Sequence, residues 1–435
     1  MRAMKDSGIE WIGEIPQEWK TPPLRSKYSF SKGLSITKAD LVDDGVSVIS
    51  YGQIHSKDNT GVSVRDTLIR HLPTDHSSLT ETSKAHVGDF IFADTSEDLQ
   101  GCGNCVFVDR DDIYAGYHTL LLRPKEIGPG RYYAYLFAAE AWRAQIRAKV
   151  SGVKLYSITQ DILKSAALIE PPVEERVRIA DYLDAKCAEI DALIAAKEKT
   201  NELLKERRQS IIYEAVTKGL DPTVPMKDSG VEWIGEIPVG WELKRLKYLG
   251  SMQIGLTYSP EEIVADGALV LRSSNIQDGK IVHADDVFVE KEIPEKLKME
   301  KGDILICSRN GSRSLIGKNA VITEEFSGQT FGAFMTIFRG RLNFYIKYLL
   351  NSSVFDYYVG SFLTSTINQL TTSNLGNIHV PVPSTEEEMW KIAEYIETEC
   401  RTIDSIIAMN NERIQKLKEY RQSLIYEAVT GKIEV

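Results

Sequence analysis

The chain has 435 residues, of which 43% are hydrophobic and 26% charged, so it can fold around several hydrophobic cores. No stretch approaches the roughly 20 apolar residues that span a membrane, and we find no signal peptide. The five cysteines show no regular spacing. We therefore expect a cytoplasmic protein. The net charge of −10 argues against a strongly basic nucleic-acid-binding protein. The net charge is −2 over residues 1–172, −2 over 226–383 and −6 over the rest of the chain. Because the two large segments are nearly neutral, either of them can still carry a local basic face.

Two framing segments occur twice along the chain. MKDSGIEWIGEIP at residues 4–16 recurs as MKDSGVEWIGEIP at 226–238, with twelve of thirteen positions identical. RQSIIYEAVT at 208–217 recurs as RQSLIYEAVT at 421–430, with nine of ten identical. Between these segments the two halves share little sequence. This tandem duplication favours one scaffold that carries two different recognition domains.

The interior of each half predicts a domain of short strands and one helix. Apolar and β-branched runs predict strands at 46–50, 90–92, 106–108 and 118–122, and in the second half at 268–271, 303–306, 320–322 and 334–338. One aromatic helix is predicted in each half, at 132–147 and at 344–358. We therefore expect two domains with one fold and different surfaces.

Residues 173–218 and 385–430 have heptad periodicity over about 45 residues, a helix length of about 65–70 Å. The two seams hold nearly the same residues, first Leu183, Cys187, Ile190, Ile194, Lys197, Asn201, Leu204, Arg208, Ile211 and Ala215, then Ile396, Cys400, Ile403, Ile407, Asn410, Ile414, Leu417, Arg421, Leu424 and Ala428. Matched seams predict that the helices pair with each other. Either orientation is reachable, but a pseudo-two-fold duplication would pair them antiparallel.

We therefore predict an α+β fold with two globular mixed α/β domains, joined by two long antiparallel coiled-coil helices in a pseudo-two-fold internal repeat. The predicted boundaries are 1–172 for the first domain, 173–219 for the first long helix, 220–225 for a linker, 226–383 for the second domain and 384–435 for the second long helix and C-terminal tail.

The chain lacks the sequence signatures of common catalytic sites. We find no phosphate-binding glycine loop, no H-E-x-x-H and no G-x-S-x-G. Cys102 and Cys105 form a lone C-x-x-C without the further pair that a structural zinc site needs, so we expect no metal site. Nothing in the sequence argues for an enzyme.

Two segments in each half are candidate contact surfaces for DNA. The basic loop at 308–314 contains Arg309, Asn310, Ser312 and Arg313, residue types that contact phosphates or base edges, although an ordinary solvated turn is the alternative. Its counterpart at 94–103 is acidic and has no arginine. The second pair of segments is 151–157 and 365–371, with the candidate residues Lys154, Tyr156, Asn368 and Gln369.

The order of these motifs resembles the specificity (S) subunit of type I restriction-modification enzymes. The resemblance rests on IPQEW at 15–19 and IPVGW at 237–241, on LIEPPVEER at 168–176 and VPVPSTEEE at 380–388 before the long helices, and on the repeated RQSxIYEAVT. It covers essentially the whole chain. In one departure, the family's usual glutamine after a double glutamate is Arg176 in the first half and Glu388 in the second.

The resemblance implies two target-recognition domains, each reading one half of a split site in double-stranded DNA, with the helix pair setting the gap. It implies a non-catalytic subunit that recruits two methyltransferase (M) subunits and also restriction (R) subunits. S-adenosylmethionine, ATP and Mg²⁺ would belong to those partners, which methylate adenine or translocate DNA. The heptad seams supply the candidate residues of the helix-pair or partner interface, which are Leu183, Ile190, Ile194, Leu204, Ile211, Ile396, Ile403, Ile407, Leu417 and Leu424.

The residues alone are also compatible with two other classes of protein. A coiled-coil adaptor whose two domains bind proteins would have apolar patches in place of polar loops. An enzyme with a site between the domains would need converging acids, histidines or nucleophiles, and the divergent interiors disfavour it.

Overall fold

The structure is a computed structural model that describes residues 2–126, 128–363 and 368–435. The chain forms two compact units. Unit 1 is Met1–Lys197 with Glu412–Val435, and unit 2 is Glu198–Asn411. Each unit therefore contains part of both long helices. The boundaries proposed from the sequence at 172, 226 and 383 stay a prediction.

The two long helices lie where the heptad pattern predicts them. The α-helices of the described residues are α1 Leu24–Lys27, α2 Tyr51–Ile54, α3 Arg131–Ala138, α4 Glu140–Arg147, α5 Gln160–Lys164, α6 Val173–Lys218, α7 Asn343–Leu349, α8 Ser353–Phe362, α9 Thr372–Gly376 and α10 Glu386–Val429. The predicted α+β class, with mixed domains joined by two long helices, is confirmed. Within the described ranges, no helix is both long and apolar enough to cross a membrane.

The prediction of a single aromatic helix in each half is wrong. In unit 1, Ala139 is extended (φ −71°, ψ 127°) and separates α3 from α4. In unit 2, Ser352 is extended (φ −107°, ψ 160°) before α8, and its hydroxyl donates to the carbonyl of Leu349 at 2.7 Å. The break turns the chain, so that Tyr132 and Trp142, on successive helices, are both fully buried in one core.

The strands agree with the predicted runs to within about two residues at each end and are joined by several short ones. In unit 1 they are β1 Met4–Asp6, β2 Glu14–Pro16, β3 Tyr28–Lys32, β4 Val46–Ile49, β5 Arg70–Leu72, β6 Lys84–Ala85, β7 Phe90–Ala93, β8 Thr95–Ser96, β9 Cys105–Phe107, β10 Ile113–Ala115, β11 Thr119–Pro124 and β12 Tyr156–Ser157. In unit 2 they are β13 Met226–Asp228, β14 Glu236–Pro238, β15 Glu242–Arg245, β16 Ser251–Ile254, β17 Ile263–Val264, β18 Ala268–Leu271, β19 Ile276–Gln277, β20 Lys280–Ile281, β21 Phe288–Val289, β22 Ile304–Cys307, β23 Asn319–Val321, β24 Thr330–Phe331, β25 Met335–Arg339 and β26 His379–Val382.

The main sheets of the two units have the same layout. An antiparallel sheet has the order β3-β11-β7-β9 in unit 1 and β16-β25-β22-β23 in unit 2. A second sheet contains one parallel pair, β4 with β10 and β18 with β24. Successive side chains of β7 alternate between two cores, because Phe90 and Phe92 pack in one and Ile91 and Ala93 in the other. This burial on both faces explains why the predicted strands are continuously apolar.

A tryptophan three residues after each of the segments 4–16 and 226–238 contacts the ends of the long helices. In unit 1, the indole Nε1 of Trp19 donates to Glu175, at the start of α6, at 3.0 Å. Gly431, after the end of α10, lies so close that a Cβ there would be 2.9 Å from the Trp19 ring. In unit 2, Trp241 donates to Glu388 of α10 at 2.9 Å and packs against Gly219, which follows α6. Each tryptophan therefore contacts the start of one long helix and the end of the other.

These contacts correct the comparison of Arg176 with Glu388 made from the sequence. Glu388 corresponds to Glu175, because both accept the tryptophan hydrogen bond. Arg176 instead lies over the ring of Tyr133 at 5.5 Å and donates to its hydroxyl at 3.3 Å. Burial raises the pKa of Glu175, but hydrogen bonds from Arg2 and Trp19 outweigh it and hold that pKa below its usual value, so the carboxylate is charged at neutral pH.

The long helices pair antiparallel within each unit. In unit 1, Arg421 of α10 lies 3.1 Å from Asp191 of α6, and in unit 2 Arg208 of α6 lies 3.5 Å from Asp404 of α10. All twenty predicted seam positions are buried or half-buried. The seam residues therefore pack inside the units, and a contact of these residues with partner proteins stays a prediction.

One polar pair occurs in the seam of unit 2. The Nδ2 of Asn410 donates to Oδ1 of Asn201 at 2.9 Å, and the Nδ2 of Asn201 donates to Asn411 at 3.0 Å. Asn201 and Asn410 are 8% and 7% exposed, so each amide depends on the other. The duplicated positions in unit 1 hold Ile414 and Lys197 and cannot form the same pair.

We predict that Trp241→Phe lowers the free energy of unfolding of unit 2 by about 2–3 kcal/mol. The substitution removes the hydrogen bond that the buried indole donates to the carboxylate of Glu388. Trp390→Phe is the matched control, since Trp390 is 54% exposed and should change stability by less than about 0.5 kcal/mol. Urea unfolding followed by circular dichroism measures both. Equal effects of the two substitutions would contradict this account.

We predict that Asn201→Ala destabilises unit 2 by about 1–3 kcal/mol, because the amide of Asn410 loses its partner inside the seam. The double variant Asn201→Leu/Asn410→Leu should be at least as stable as the wild type, since it replaces both polar groups with apolar ones. Thermal unfolding of the three proteins decides the point. A double variant less stable than the single one would disprove the pairing.

Candidate nucleic-acid interface

The structure brings the two candidate segments of each half together. In unit 2, the loop after β22 meets the segment before α9, where the N–H of Leu370 donates to the carbonyl of Ser308 at 2.7 Å and Arg309 pairs with Gln369 in an antiparallel bridge. In unit 1, the N–H of Ile158 donates to the carbonyl of Asp94 at 2.7 Å. Residues 365–367 of the predicted segment lie outside the described residues.

The equivalent cross-strand pair in unit 1 is Thr95 with Ser157, where β8 pairs with β12. Residues opposite each other in an antiparallel pair project from the same face. Arg309 and Ser157 are exposed and Gln369 and Thr95 half-buried, whereas the flanking Ile158 and Leu370 are buried. The two pairs therefore form the outward face of equivalent structures.

Two exposed rings beside these pairs were not found from the sequence. The backbone N–H groups of Ser308 and Arg309 both donate to the carbonyl of Phe334 at 3.0 Å. The Phe334 side chain is 58% exposed, and the Arg309 guanidinium carbon lies 5.3 Å from the ring centroid. In unit 1, Asp94 N–H donates to the carbonyl of His118 at 3.1 Å. The sequence signal that could have identified this position is a glycine two residues before each ring, Gly116 before His118 and Gly332 before Phe334.

His118 belongs to an aromatic cluster in unit 1. It has a positive φ of 54°, and its ring packs edge-on against Tyr51 at 5.4 Å and Tyr117 at 6.0 Å. Its Nδ1 lies 3.4 Å from the Asp94 carboxylate. The surface of unit 1 at this place is aromatic and acidic, whereas that of unit 2 is basic and amide-bearing.

Most of the other predicted residues in the basic loop are used by the fold. Asn310 donates to Ser273 Oγ at 3.0 Å and accepts from the N–H of Ser312 at 2.9 Å. Ser312 shares a hydrogen bond with Ser314, and Arg313 donates to the carbonyl of Leu363 at the end of α8, at 2.9 Å. These side chains shape the loop and leave fewer free donors for a ligand.

The remaining candidates lie on the connecting segments. Lys154 is exposed at the tip of a hairpin that the Ser151–Ser157 bridge closes. Tyr156 packs against the hydrophobic core of unit 1. Asn368 lies 3.4 Å from the carbonyl of Gly311. Within the described residues, the exposed Arg309 forms no ion pair.

The C-x-x-C of unit 1 is part of the core. Cys102 and Cys105 are both buried, and burial raises the pKa of the Cys105 thiol to about 12. A thiol in this environment stays protonated at neutral pH, whereas a metal ligand is a thiolate. Within the part of the chain that the structure describes, no group of three or more His, Cys, Asp or Glu side chains is placed to hold a metal ion.

Comparisons with known proteins agree with the geometry. Residues 238–419 match the family model of the type I restriction modification DNA specificity domain. The type I restriction enzyme EcoKI specificity subunit of Escherichia coli is 31% identical over 208 residues, which cover 46% of this chain and 44% of that protein. The MjaVIII specificity subunit of Methanocaldococcus jannaschii is 26% identical over 338 residues, 76% of each chain. The chain aligns with less than half the length of the first of these relatives.

Solved structures support the fold over nearly the whole chain. A chain from a study of complex assembly and conformational transition of the type I R-M system has a TM-score of 0.73 at 18% identity, over 96% of this chain and 99% of that one. The HsdS subunit from Thermoanaerobacter tengcongensis has a TM-score of 0.51 at 17% identity, over 96% and 98%. The resemblance found in the duplicated motifs is confirmed, because residues 238–419 match the model of the type I restriction modification DNA specificity domain and the curated relatives that align with this chain are specificity subunits.

Proposed function

We propose that this chain is the sequence-specific DNA recognition subunit of a type I restriction-modification system. One observation carries the proposal. In both units, the loop after a central strand and a return segment pair at the same place in the fold, and the outward side chains there differ completely between the units. A repeated scaffold with divergent surface residues suits two readers of different base sequences. The family match at 238–419 supports the same reading.

Each target-recognition domain reads one half of a bipartite, gapped site in double-stranded DNA, and the α6–α10 pair sets the gap. The helices also dock two methyltransferase subunits, and restriction subunits join for cleavage of unmodified DNA. Exposed aromatic side chains on α10 offer contact area for such protein partners, among them Trp390, Tyr395 and Tyr420, which are 54%, 42% and 56% exposed. The relatives named above are themselves specificity subunits of type I restriction enzymes.

This subunit does no chemistry in the proposed complex. Adenine methylation with S-adenosylmethionine, and ATP- and Mg²⁺-dependent restriction, belong to the partner subunits in the cytoplasm. The net charge of −10 fits this division, because much of the non-specific attraction to phosphates would come from the methyltransferase subunits. The chain itself then discriminates between sequences.

We predict that co-expression of this chain with its methyltransferase subunit, in a host without adenine methylation, yields one gapped two-part methylated motif, because two separate surfaces read the DNA. Long-read sequencing of the host genome locates the modified adenines. Replacing residues 226–383 with the corresponding domain of another specificity subunit should change one half of the motif and leave the other intact. A stable complex that methylates nothing would refute the proposal.

We predict that inserting one heptad into both long helices, after Lys197 and after Asn411, lengthens the gap and leaves both half-sites unchanged. Seven residues add about 10 Å of helix, which corresponds to about three base pairs of DNA. The same methylation map gives the gap length. Insertion into α6 alone is the control, because it shifts the seam out of register and should abolish methylation. An unchanged gap in an active complex would contradict a spacing role.

A further inference from the structure

The cross-strand pairs on the two recognition surfaces differ in a way that separates base contacts from phosphate contacts. The DNA backbone is chemically the same at every half-site, so a side chain that only binds phosphate would be useful at this position in both units. A side chain that reads a base has to differ when the half-sites differ. Arg309 and Gln369 in unit 2 correspond to Thr95 and Ser157 in unit 1, which carry no charge.

The neighbouring residue shows that the two loops are otherwise built alike. Asn310, after Arg309, accepts from the N–H two residues later at 2.9 Å, and Ser96, after Thr95, accepts from the N–H of Asp98 at 3.4 Å. The turn is therefore conserved in its geometry while the outward residue before it changes. At this position, the difference between the units therefore lies in the outward side chains.

The contacts of Arg309 favour a side-chain conformation that could bind the edge of a base. Its guanidinium carbon lies 5.3 Å from the ring centroid of the exposed Phe334, and this contact restricts the side chain. Among the residues that the structure describes, its guanidinium N–H donors have no hydrogen-bond partner, so they remain available to a ligand. Within the described residues, no carboxylate forms an ion pair with Arg309. A planar fork of two donors matches the O6 and N7 acceptors of guanine in the major groove.

Gln369 stands beside Arg309 on the same face of the bridge. Its side-chain amide carries a donor and an acceptor, the combination that matches the N7 and N6 groups of adenine. In unit 1, Thr95 donates to the Asp94 carboxylate at 2.8 Å, and this loop supplies acceptors and no cationic fork. Equivalent positions in the two units thus offer different hydrogen-bonding groups.

We propose that the pair Arg309–Gln369 determines the base specificity of unit 2, that Arg309 reads a guanine in the half-site bound by this unit, and that Thr95–Ser157 is the corresponding position for the other half-site. The inference rests on the proposed function and deepens it. It names the side chain and the base chemistry that make one half-site different from the other.

The experiment uses the full chain in complex with its methyltransferase subunits and a library of 40-base-pair duplexes randomised over 20 positions. Sequencing of the bound fraction gives the consensus for the wild type, for Arg309→Thr and for Arg341→Thr. The last is a matched control, because it removes the same charge from a side chain of unit 2 that is 80% exposed. Dissociation constants are then measured on the consensus duplex and on its single-base variants. Arg309→Gln, which keeps a polar side chain, replaces Arg309→Thr if the latter does not fold.

The expected result is a guanine in one half of the wild-type consensus whose preference falls about 5- to 140-fold in Arg309→Thr, the range for losing one bidentate base contact. The other half, and the consensus of Arg341→Thr, should not change. If Arg309→Thr binds all duplexes more weakly and keeps the same consensus, Arg309 contacts phosphate and the inference is wrong. An unchanged consensus with unchanged affinity also refutes it. A wild-type complex that selects no consensus overturns the proposed function, and the inference with it.

Discussion

The fold depends on the way a buried tryptophan holds two helix ends together in each unit. Trp19 hydrogen-bonds to Glu175 at the start of α6 and packs on Gly431 after α10, and Trp241 does the same with Glu388 and Gly219. A hydrogen bond from a buried indole to a carboxylate is directional, so it fixes where each helix begins relative to the framing segment. In each unit the tryptophan contacts the start of one long helix and the end of the other. Both contacts can form only if α6 and α10 pair antiparallel.

This constraint explains which parts of the duplicated sequence had to stay alike. The segments 4–16 and 226–238 form the β1–β2 and β13–β14 hairpins that lead into the tryptophans. The segments 208–217 and 421–430 supply the helix ends that the tryptophans meet, and they include the arginines of the Arg208–Asp404 and Arg421–Asp191 pairs. Identical residues persist here because the same contact is made twice. The Asn201–Asn410 pair is the exception, since it makes the seam of one unit chemically distinct from the other.

Much of this fold could be predicted from periodicity, and the failures have physical causes. The heptad seams located α6 and α10 because a seven-residue repeat that is apolar at most of its seam positions over this length has few alternatives. The division of the aromatic helices at Ala139 and Ser352 was missed, because no proline or glycine marks it and tertiary packing decides it. Heptad spacing also gives no direction, so the antiparallel pairing needed the argument from duplication.

The candidate surface was less predictable than the fold. The sequence indicated the loop at 308–314 but could not show that Arg313 would be used by the end of α8 and Asn310 by Ser273. Such roles depend on partners distant in the chain. Phe334 and His118 were missed because each is the first residue of a predicted apolar strand, where a ring is expected to be buried, whereas these side chains are more than half exposed.

The acidic composition and the proposed role in DNA binding agree once affinity and discrimination are treated as separate tasks. Attraction to phosphate depends on the number of cations facing the backbone, and a chain with a net charge of −10 is poorly equipped for it alone. Discrimination needs only a few correctly placed donors and acceptors at base edges. In the proposed role, Arg309 would supply such donors, since it lies against an aromatic ring and has no ion pair among the described residues. A subunit built in this way would gain affinity from its partners and contribute the choice of sequence, so selection can change the outward pair of one unit without altering the frame that both units share.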